Sequence, residues 1–371
     1  MTFQKNAGAV RRFNRIMKFG AWLMDLPSRL IPPPFRLMQI SSAFWQSRAL
    51  YLAARLNLAT HLGDGKMAIA ELAARAGVQA DALGRLLRLL AAMGIFSEPS
   101  PGVWRNNRLS NHLRPVHPQG VRAMIVMHNA PFMSRPWYEQ LENGVRNGTP
   151  PFELAYGEEL YDYLDRHPED DRLFSEAMDC VAALTGDGFA RDFDWGRFAR
   201  IIDVGGSRGS KSLAILKRHP QLTALVVDRP PVVAEAQSFW AAHPAEACDR
   251  LSFLAGDLFG ELPAAGGEGD IYLLSAVFHA FDDDATVRAL RNLALAVGGS
   301  GARIALLELV LPETGADIAS ASFDMQMFMG TRGRERTLSE WNRLVGDAGL
   351  RLEEVVGLQG FGNILVLQVA G

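Results

Sequence analysis

Hydrophobic residues along this chain follow two periods, and the change falls near residue 200. Before it, apolar positions recur at helical spacing. MAIAELAARAGVQADALGRLLRLLAAMGIFSE predicts a helix, a turn at Gly77 and a second helix, and VWRNNRLS after Pro101-Gly102 predicts a short hairpin. Together they form a winged-helix pattern over residues 36–115. Residues 116–195 continue helical and are rich in Met and aromatics, as in VRAMIVMHNAPFMSRPWYEQL. After residue 200, short apolar runs (ARIIDV, TALVVD, LSFLAGD, DIYLLSAV, ARIALLEL) alternate with helical segments such as SKSLAILKRH and DATVRALRNLALAV. That alternation predicts an α/β fold with a parallel sheet covered on both faces. The closing stretch LRLEEVVGLQGFGNILVLQVAG holds two strands with no helix between them, so residues 196–371 should end in an antiparallel hairpin.

Residues 1–35 stand apart as a basic amphipathic extension, AVRRFNRIMKFGAWLMDLPSRLIPPPF, stopped by Pro32-Pro33-Pro34. It lacks the long apolar region and cleavage site of a signal peptide. The expected role is an extra helix packed on the domain or on a dimer partner, and membrane-surface contact by residues 9–30 is the alternative. A chain of 371 residues exceeds the usual single core, which favours two domains. A net charge of −3 leaves no electrostatic footprint for nucleic acid. The second helix of the winged-helix pattern agrees: Leu83, Leu86, Leu87, Leu89 and Leu90 outnumber Arg85 and Arg88, so it is built for burial. Cys180 and Cys248 make neither a disulfide framework nor a zinc site, which suits a reducing, cytoplasmic setting.

Candidate chemistry begins at IIDVGGSRG. Asp203 ends a strand, and Gly205, Gly206 and Gly209 let the backbone turn and approach a ligand at the carboxyl edge of the sheet. The loop lacks the GxGxxG spacing of a pyrophosphate site. Asp228 ends the second strand, where a ribose diol would be held. Asp257 and Phe259, in AGDLF, suit an adenine amino group and its flat face. A nucleoside without phosphates fits these better than a dinucleotide. Arg229 and Leu258, beside the two acids, complete this set of expected contacts.

The order IIDVGGSRG, VVDRPPVV, AGDLF, LLSAVFHAFDDD, LLELVLPE and DMQMFMGTRGRERTLSEWNRLVGDAGL resembles the small-molecule O-methyltransferases that use S-adenosylmethionine. The resemblance spans roughly residues 36–370. It implies a winged-helix domain that forms a homodimer, followed by a Rossmann-like class I methyltransferase domain. It also implies His279 as general base, flanked by Glu308 and Glu335, and S-adenosylhomocysteine as the cofactor's product. The expected acceptor is a hydroxyl on a small aromatic or polycyclic molecule of secondary metabolism. Phe132, Trp137, Met178, Met325 and Met329 are the expected pocket residues, by resemblance and apolar bulk.

Several positions depart from the family. His279 is followed by Ala280-Phe281 rather than Asp-Trp, although Phe281 can still stack on adenine. Ser275, carried as a cofactor contact, stands where a lysine is common. Ser207 replaces a third glycine and crowds the loop unless its backbone angles are ordinary. Arg208 and Lys211 put positive charge near a cationic cofactor unless they point to solvent. Asp282, Asp283 and Asp284 invite a metal reading, but acids at a helix start are expected caps, and the chemistry needs no metal. Two other functions fit less well: a relative with decarboxylase, hydroxylase or pericyclase chemistry, and a winged-helix regulator that senses a ligand.

Overall fold

Residues 2–360 and 362–370 are described by the computed structural model, with backbone alone for Met24, Ser28, Ala182, Ala183 and Thr185. The chain folds as two units, one of residues 19–185 and one of residues 1–18 and 186–371.

In the first unit, α1 (Ala7–Leu30, which begins in the other unit) and α2 (Pro33–Arg55) precede α3 (Leu58–Leu62), β1 (Lys66–Ala68), α4 (Ile69–Ala76) and α5 (Ala80–Ala92). β2 (Phe96–Ser100) and β3 (Val103–Asn106) complete an antiparallel sheet in the order β1-β3-β2, the wing of a winged helix. Gly77 ends α4 with φ +68, and Val78 N–H returns to the Ala73 carbonyl at 3.0 Å, so a left-handed residue makes the turn between α4 and α5. Leu83, Leu87 and Leu90 bury one face of α5 against Leu58, Leu72 and Trp104. The helical stretch that follows comprises α6 (Arg122–Asn129), α7 (Pro131–Glu139), α8 (Leu141–Asn147), α9 (Pro151–Tyr156), α10 (Leu160–Arg166) and α11 (Pro168–Thr185). Along α2, by contrast, Phe35, Met38, Phe44 and Trp45 stay exposed, Trp45 by 62%. No helix among the described residues is long and apolar enough to cross a membrane.

The second unit continues with α12 (Gly188–Asp192), β4 (Arg200–Val204), α13 (Ser210–Arg218), β5 (Thr223–Asp228), α14 (Pro230–Ala242), β6 (Leu251–Ala255) and β7 (Asp270–Ser275). Then come α15 (Asp283–Val297), β8 (Arg303–Glu308), β9 (Val310–Leu311), α16 (Ile318–Gly330), β10 (Arg336–Thr337), α17 (Leu338–Asp347), β11 (Leu350–Gly357) and β12 (Asn363–Val369). The sheet order is β11-β12-β8-β7-β4-β5-β6. β4 to β8 run parallel, while β12 is antiparallel to both neighbours, as the helix-free tail of the sequence implied. Alternate residues feed two separate cores. Ile201, Ile271 and Leu273 pack on the α13 side, and Ile202, Tyr272 and Leu274 on the α15 and α17 side. All six have no exposure, which is why these strands read as continuous apolar runs.

Residues 2–10 do more than extend a helix. Phe3 is buried on the α13 side, with its ring stacked 5.5 Å from Phe193 and 6.1 Å from Phe198. Its amide donates to Glu354 Oε2 of β11 at 2.7 Å, and Gln4 bridges to Phe193. The amphipathic pattern concealed this tie because its anchor lies ahead of the first helical residue. Phe3→Ala is expected to destabilise this unit by about 3 kcal/mol, seen as a lower urea midpoint at unchanged slope; an unmoved midpoint would show the tie to be dispensable.

Candidate active site

The strand order reverses between β4 and β7, and the carboxyl edge at such a reversal is where open α/β sheets bind their ligands. The loop after β4 lies at this reversal. Asp203, buried, accepts the Ser212 hydroxyl at 2.6 Å, and burial pushes its carboxyl up to about 6, against the pull of that hydrogen bond and of Lys211. A Cβ on Gly206 would lie 2.5–2.8 Å from the Asp203 carboxylate, so only glycine fits above it. Gly205 and Gly209 both hold positive φ, and a Cβ on Gly209 would meet Val226 at 2.9 Å. Asp203 thus faces the loop it supports.

Ser207 takes φ +52, a left-handed angle for a non-glycine residue, so its backbone is not ordinary. The angle aims its N–H at Asp228 Oδ2, 2.8 Å away, while Asp228 Oδ1 accepts the Arg229 N–H at 2.8 Å. Asp228, half-buried, thereby ties the glycine loop to the end of β5. Asp257 stays exposed and accepts the Phe259 N–H at 2.9 Å. The Asn292 amide, from α15, donates to the Leu258 and Gly260 carbonyls at 2.7 and 2.5 Å. Phe259 meets Phe281 edge to face, with ring centroids 5.3 Å apart at 90°. The two aromatic positions expected to flank adenine form one corner.

After β7 the chain makes a short turn, Phe278–Ala280, that carries His279. Four groups hold this turn. Glu308 Oε1, at the end of β8, accepts the Val277 and Phe278 N–H groups at 3.0 and 2.9 Å. The fully buried Arg336 donates to the Phe278 carbonyl at 3.0 Å, to the Phe281 carbonyl at 2.7 Å and to Asp283 at 3.0 Å. Gly333 passes so close that a Cβ there would lie 1.9 Å from the His279 carbonyl oxygen. Glu335, buried, places Oε1 3.0 Å from His279 Nδ1, and its own N–H donates to Asp324 of α16 at 2.9 Å. The Phe323 ring stands 5.8 Å from the imidazole.

Burial alone would lower the His279 pKa. The hydrogen bond to Glu335 and the fields of Glu308 and Glu335 outweigh it, so the imidazole titrates above its ordinary value. Burial pushes the Glu308 carboxyl up, opposed by His279 and the two amides. One atom each of His279, Glu308 and Glu335 falls within 4.8 Å of the others, a spacing that could suit a cation. All three are already engaged, Glu308 Oε1 by the two turn amides and His279 and Glu335 by each other. Asp282 caps α15 by accepting the Ala285 N–H at 2.8 Å, as expected of an acid there, and Asp283 pairs with Arg336 and Arg343.

Other expected residues lie apart. Phe132, Trp137 and Met178 belong to the unit of residues 19–185, where Phe132 stacks on Tyr163 at 6.2 Å. On α16, Met325 is partly exposed, whereas Met329 has no exposure and serves as core. Arg208 turns away onto Glu235 and the Phe239 ring. The sequence reading missed Arg336, Gly333, Asn292, Phe323 and Asp324. Gly333 offered a signal, as a glycine within a dense run of charges just before Glu335.

A parallel sheet in this order, with a glycine loop at the strand reversal and acids on the next two strand ends, is the class I methyltransferase architecture. Residues 138–351 match the O-methyltransferase domain and residues 38–114 the O-methyltransferase dimerisation domain. The chain therefore belongs to the O-methyltransferase family and is an S-adenosylmethionine-dependent methyltransferase. It is 33% identical over 326 residues to the phenazine O-methyltransferase PhzM of Lysobacter antibioticus, covering 88% of this chain and 93% of that one. It is 34% identical to the phenazine-1-carboxylate N-methyltransferase of Pseudomonas aeruginosa (strain PAO1), covering 87% and 93%. The crystal structure of NcsB1 from neocarzinostatin biosynthesis, bound to S-adenosyl-L-homocysteine and 1,4-dihydroxy-2-naphthoic acid, is 30% identical, with a TM-score of 0.73 over 87% of this chain and 96% of that one.

The tight passage of Gly333 yields a test. Gly333→Ala must displace the His279 turn and weaken its hydrogen bond to Glu335. The His279 midpoint, followed by NMR of its ring resonances, is expected to fall; an unchanged midpoint would show that the turn absorbs the methyl group in place.

Proposed function

We propose that this enzyme methylates a hydroxyl on a small aromatic molecule of secondary metabolism, with His279 as general base. The observation that carries this reading is the buried carboxylate of Glu335 at 3.0 Å from His279 Nδ1. With Nδ1–H donated to Glu335, Nε2 keeps the lone pair and faces the acceptor's proton. A phenol near pKa 10 holds its proton at neutral pH and gains from such a base. Glu335 and Glu308 then stabilise the imidazolium that forms. An arylamine attacks through a lone pair that is already free, so the same machinery would serve it less.

Bound S-adenosylmethionine supplies a methyl group already activated by a positive sulfur. The residues at the strand ends fit its adenosyl part: Asp228 retains lone pairs for a ribose diol, Asp257 stays exposed, and Phe259 and Phe281 offer a flat corner. Gly205, Gly206 and Gly209 keep the loop free of side chains, with Arg229, Leu258 and Ser275 adjoining. Within the same proposal, residues 36–115 form a homodimer, which would cover the exposed apolar side chains of α2. Residues 1–35 form the extension, residues 116–195 are a helical linker and substrate-pocket segment that carries Phe132, Trp137 and Met178, and residues 196–371 hold the cofactor. Met325 joins the pocket and Met329 supports it from the core. A cytoplasmic setting belongs to this reading, and the chemistry calls on no metal.

Purified enzyme incubated with methyl-labelled cofactor and a panel of hydroxylated naphthoates and phenazines should transfer label to oxygen. Consumption of acceptor without label in the product would overturn the reading. With a responsive acceptor, His279→Ala is expected to lower turnover by about 10²–10⁴-fold while S-adenosylhomocysteine affinity stays within about twofold.

The raised His279 pKa fixes the sign of the pH dependence. The base form exists only above that pKa, so kcat/KM should fall on its acid side at a pH above histidine's ordinary 6.5. Glu335→Gln removes contributions that raise the pKa. Its acid limb should move to lower pH while the plateau drops; a limb that stays put would remove Glu335 from this role.

A further inference from the structure

α1 is open to solvent along most of its length. Val10, close against Gly357, is its only buried side chain among the described residues. Isolated helices are marginal in water and owe most of their stability to packing of an apolar face. This helix also carries Gly8, Gly20 and Pro27, which weaken it further. It therefore needs a packing surface beyond those its own chain gives it.

The exposed apolar side chains of α1 are not scattered. Ile16, Phe19, Leu23, Leu26 and Leu30 follow one another at intervals of three, four, three and four residues, and all are 38–81% exposed. That alternation is a period of 3.5, the stripe by which one helix packs along another. Beyond the stripe α2 begins, where Phe35, Met38 and Trp45 are exposed as well, and Arg36 of α2 reaches Asp25 of α1 at 3.4 Å. α2 in turn enters the dimerisation domain, whose match starts at residue 38, so α1 lies wholly ahead of it.

Charge decides between a helix and a lipid surface as the partner. A helix that lies on a membrane flanks its apolar face with cations. Here Arg11, Arg12, Arg15 and Lys18 all precede Phe19. From Phe19 to Leu30 the charged residues are Asp25 and Arg29 alone, and they pair at 2.7 Å. Most of the stripe thus offers no net charge to an anionic lipid.

We propose that the apolar stripe of α1 docks on a second copy of this chain, helix against helix, on the face that α1 and α2 leave open. The contact adds to the dimer an element outside the family match, and it rests on the reading above that residues 36–115 form a homodimer. Around a two-fold axis both copies use the same stripe, so each α1 covers what the other exposes.

Subunit exchange between isotope-labelled and unlabelled dimers, followed by native mass spectrometry, tests this. Leu23→Ser combined with Leu26→Ser is expected to speed exchange about tenfold or more, since interface changes act mainly on dissociation; an unchanged rate would overturn the docking. Hydrogen exchange of the unaltered enzyme gives a second measurement, in which the amides of residues 16–30 should be protected in the dimer. Exchange there at the rate of an unstructured chain would also overturn it, and protection gained only with vesicles of phosphatidylcholine and phosphatidylserine would assign the stripe to a membrane instead. An unaltered enzyme that sediments as a monomer would overturn the homodimer reading on which the docking rests.

Discussion

The contact between His279 and Glu335 joins two segments that lie 56 residues apart, and the site depends on the constraint that makes it. Neither group could stay buried alone. An unpaired carboxylate in that position would take up a proton, and an unpaired imidazole would stay neutral. Their union requires the 332–336 segment to run against the His279 turn with no side chain between, which Gly333 permits. Arg336 then fixes the turn by binding carbonyls on either side of His279. A buried guanidinium is costly unless paired, and Asp283 supplies the pair from the first turn of α15. His279 is therefore positioned by a network that reaches from β8 to α15.

The fold was legible where one local pattern decides one element. Alternating β-branched runs announced the parallel sheet, and a missing helix announced the final hairpin. Three strand ends carried acids in the order a nucleoside would need. What the sequence concealed were long-range identities. RGRERT is crowded with charge, and only the family resemblance pointed to Glu335 as a neighbour of His279, yet Glu335 and Arg336 are almost wholly buried. Their burial follows from partners supplied by β7, β8 and α15, which no local pattern reveals. Phe3 was hidden for a different reason: a single aromatic ahead of a helix has no period to betray its place in the core. Met329, named for the pocket by resemblance and apolar bulk, has no exposure on α16.

The departures around the glycine loop fall into two kinds. Phe281 keeps the aromatic face of the residue it replaces and meets Phe259 edge to face, so that corner survives with less area. Ser275 shortens a side chain at the end of β7, and its buried hydroxyl has no partner among the described residues.

Ser207 shows how the loop tolerates its own irregularity. A left-handed angle costs a side chain with a Cβ about 1–2 kcal/mol. In return its amide reaches the ionised Asp228, and a hydrogen bond to a charged group contributes about 1.5–3 kcal/mol. The gain offsets the strain only while Asp228 stays put at the end of β5. Asp228 therefore has two tasks, closing the glycine loop from beneath and presenting its remaining lone pairs to the crevice. A change there would deform the loop as well as remove an acceptor, so losses at Asp228 should exceed those at Asp257, whose hydrogen bond reaches only two residues along its own turn.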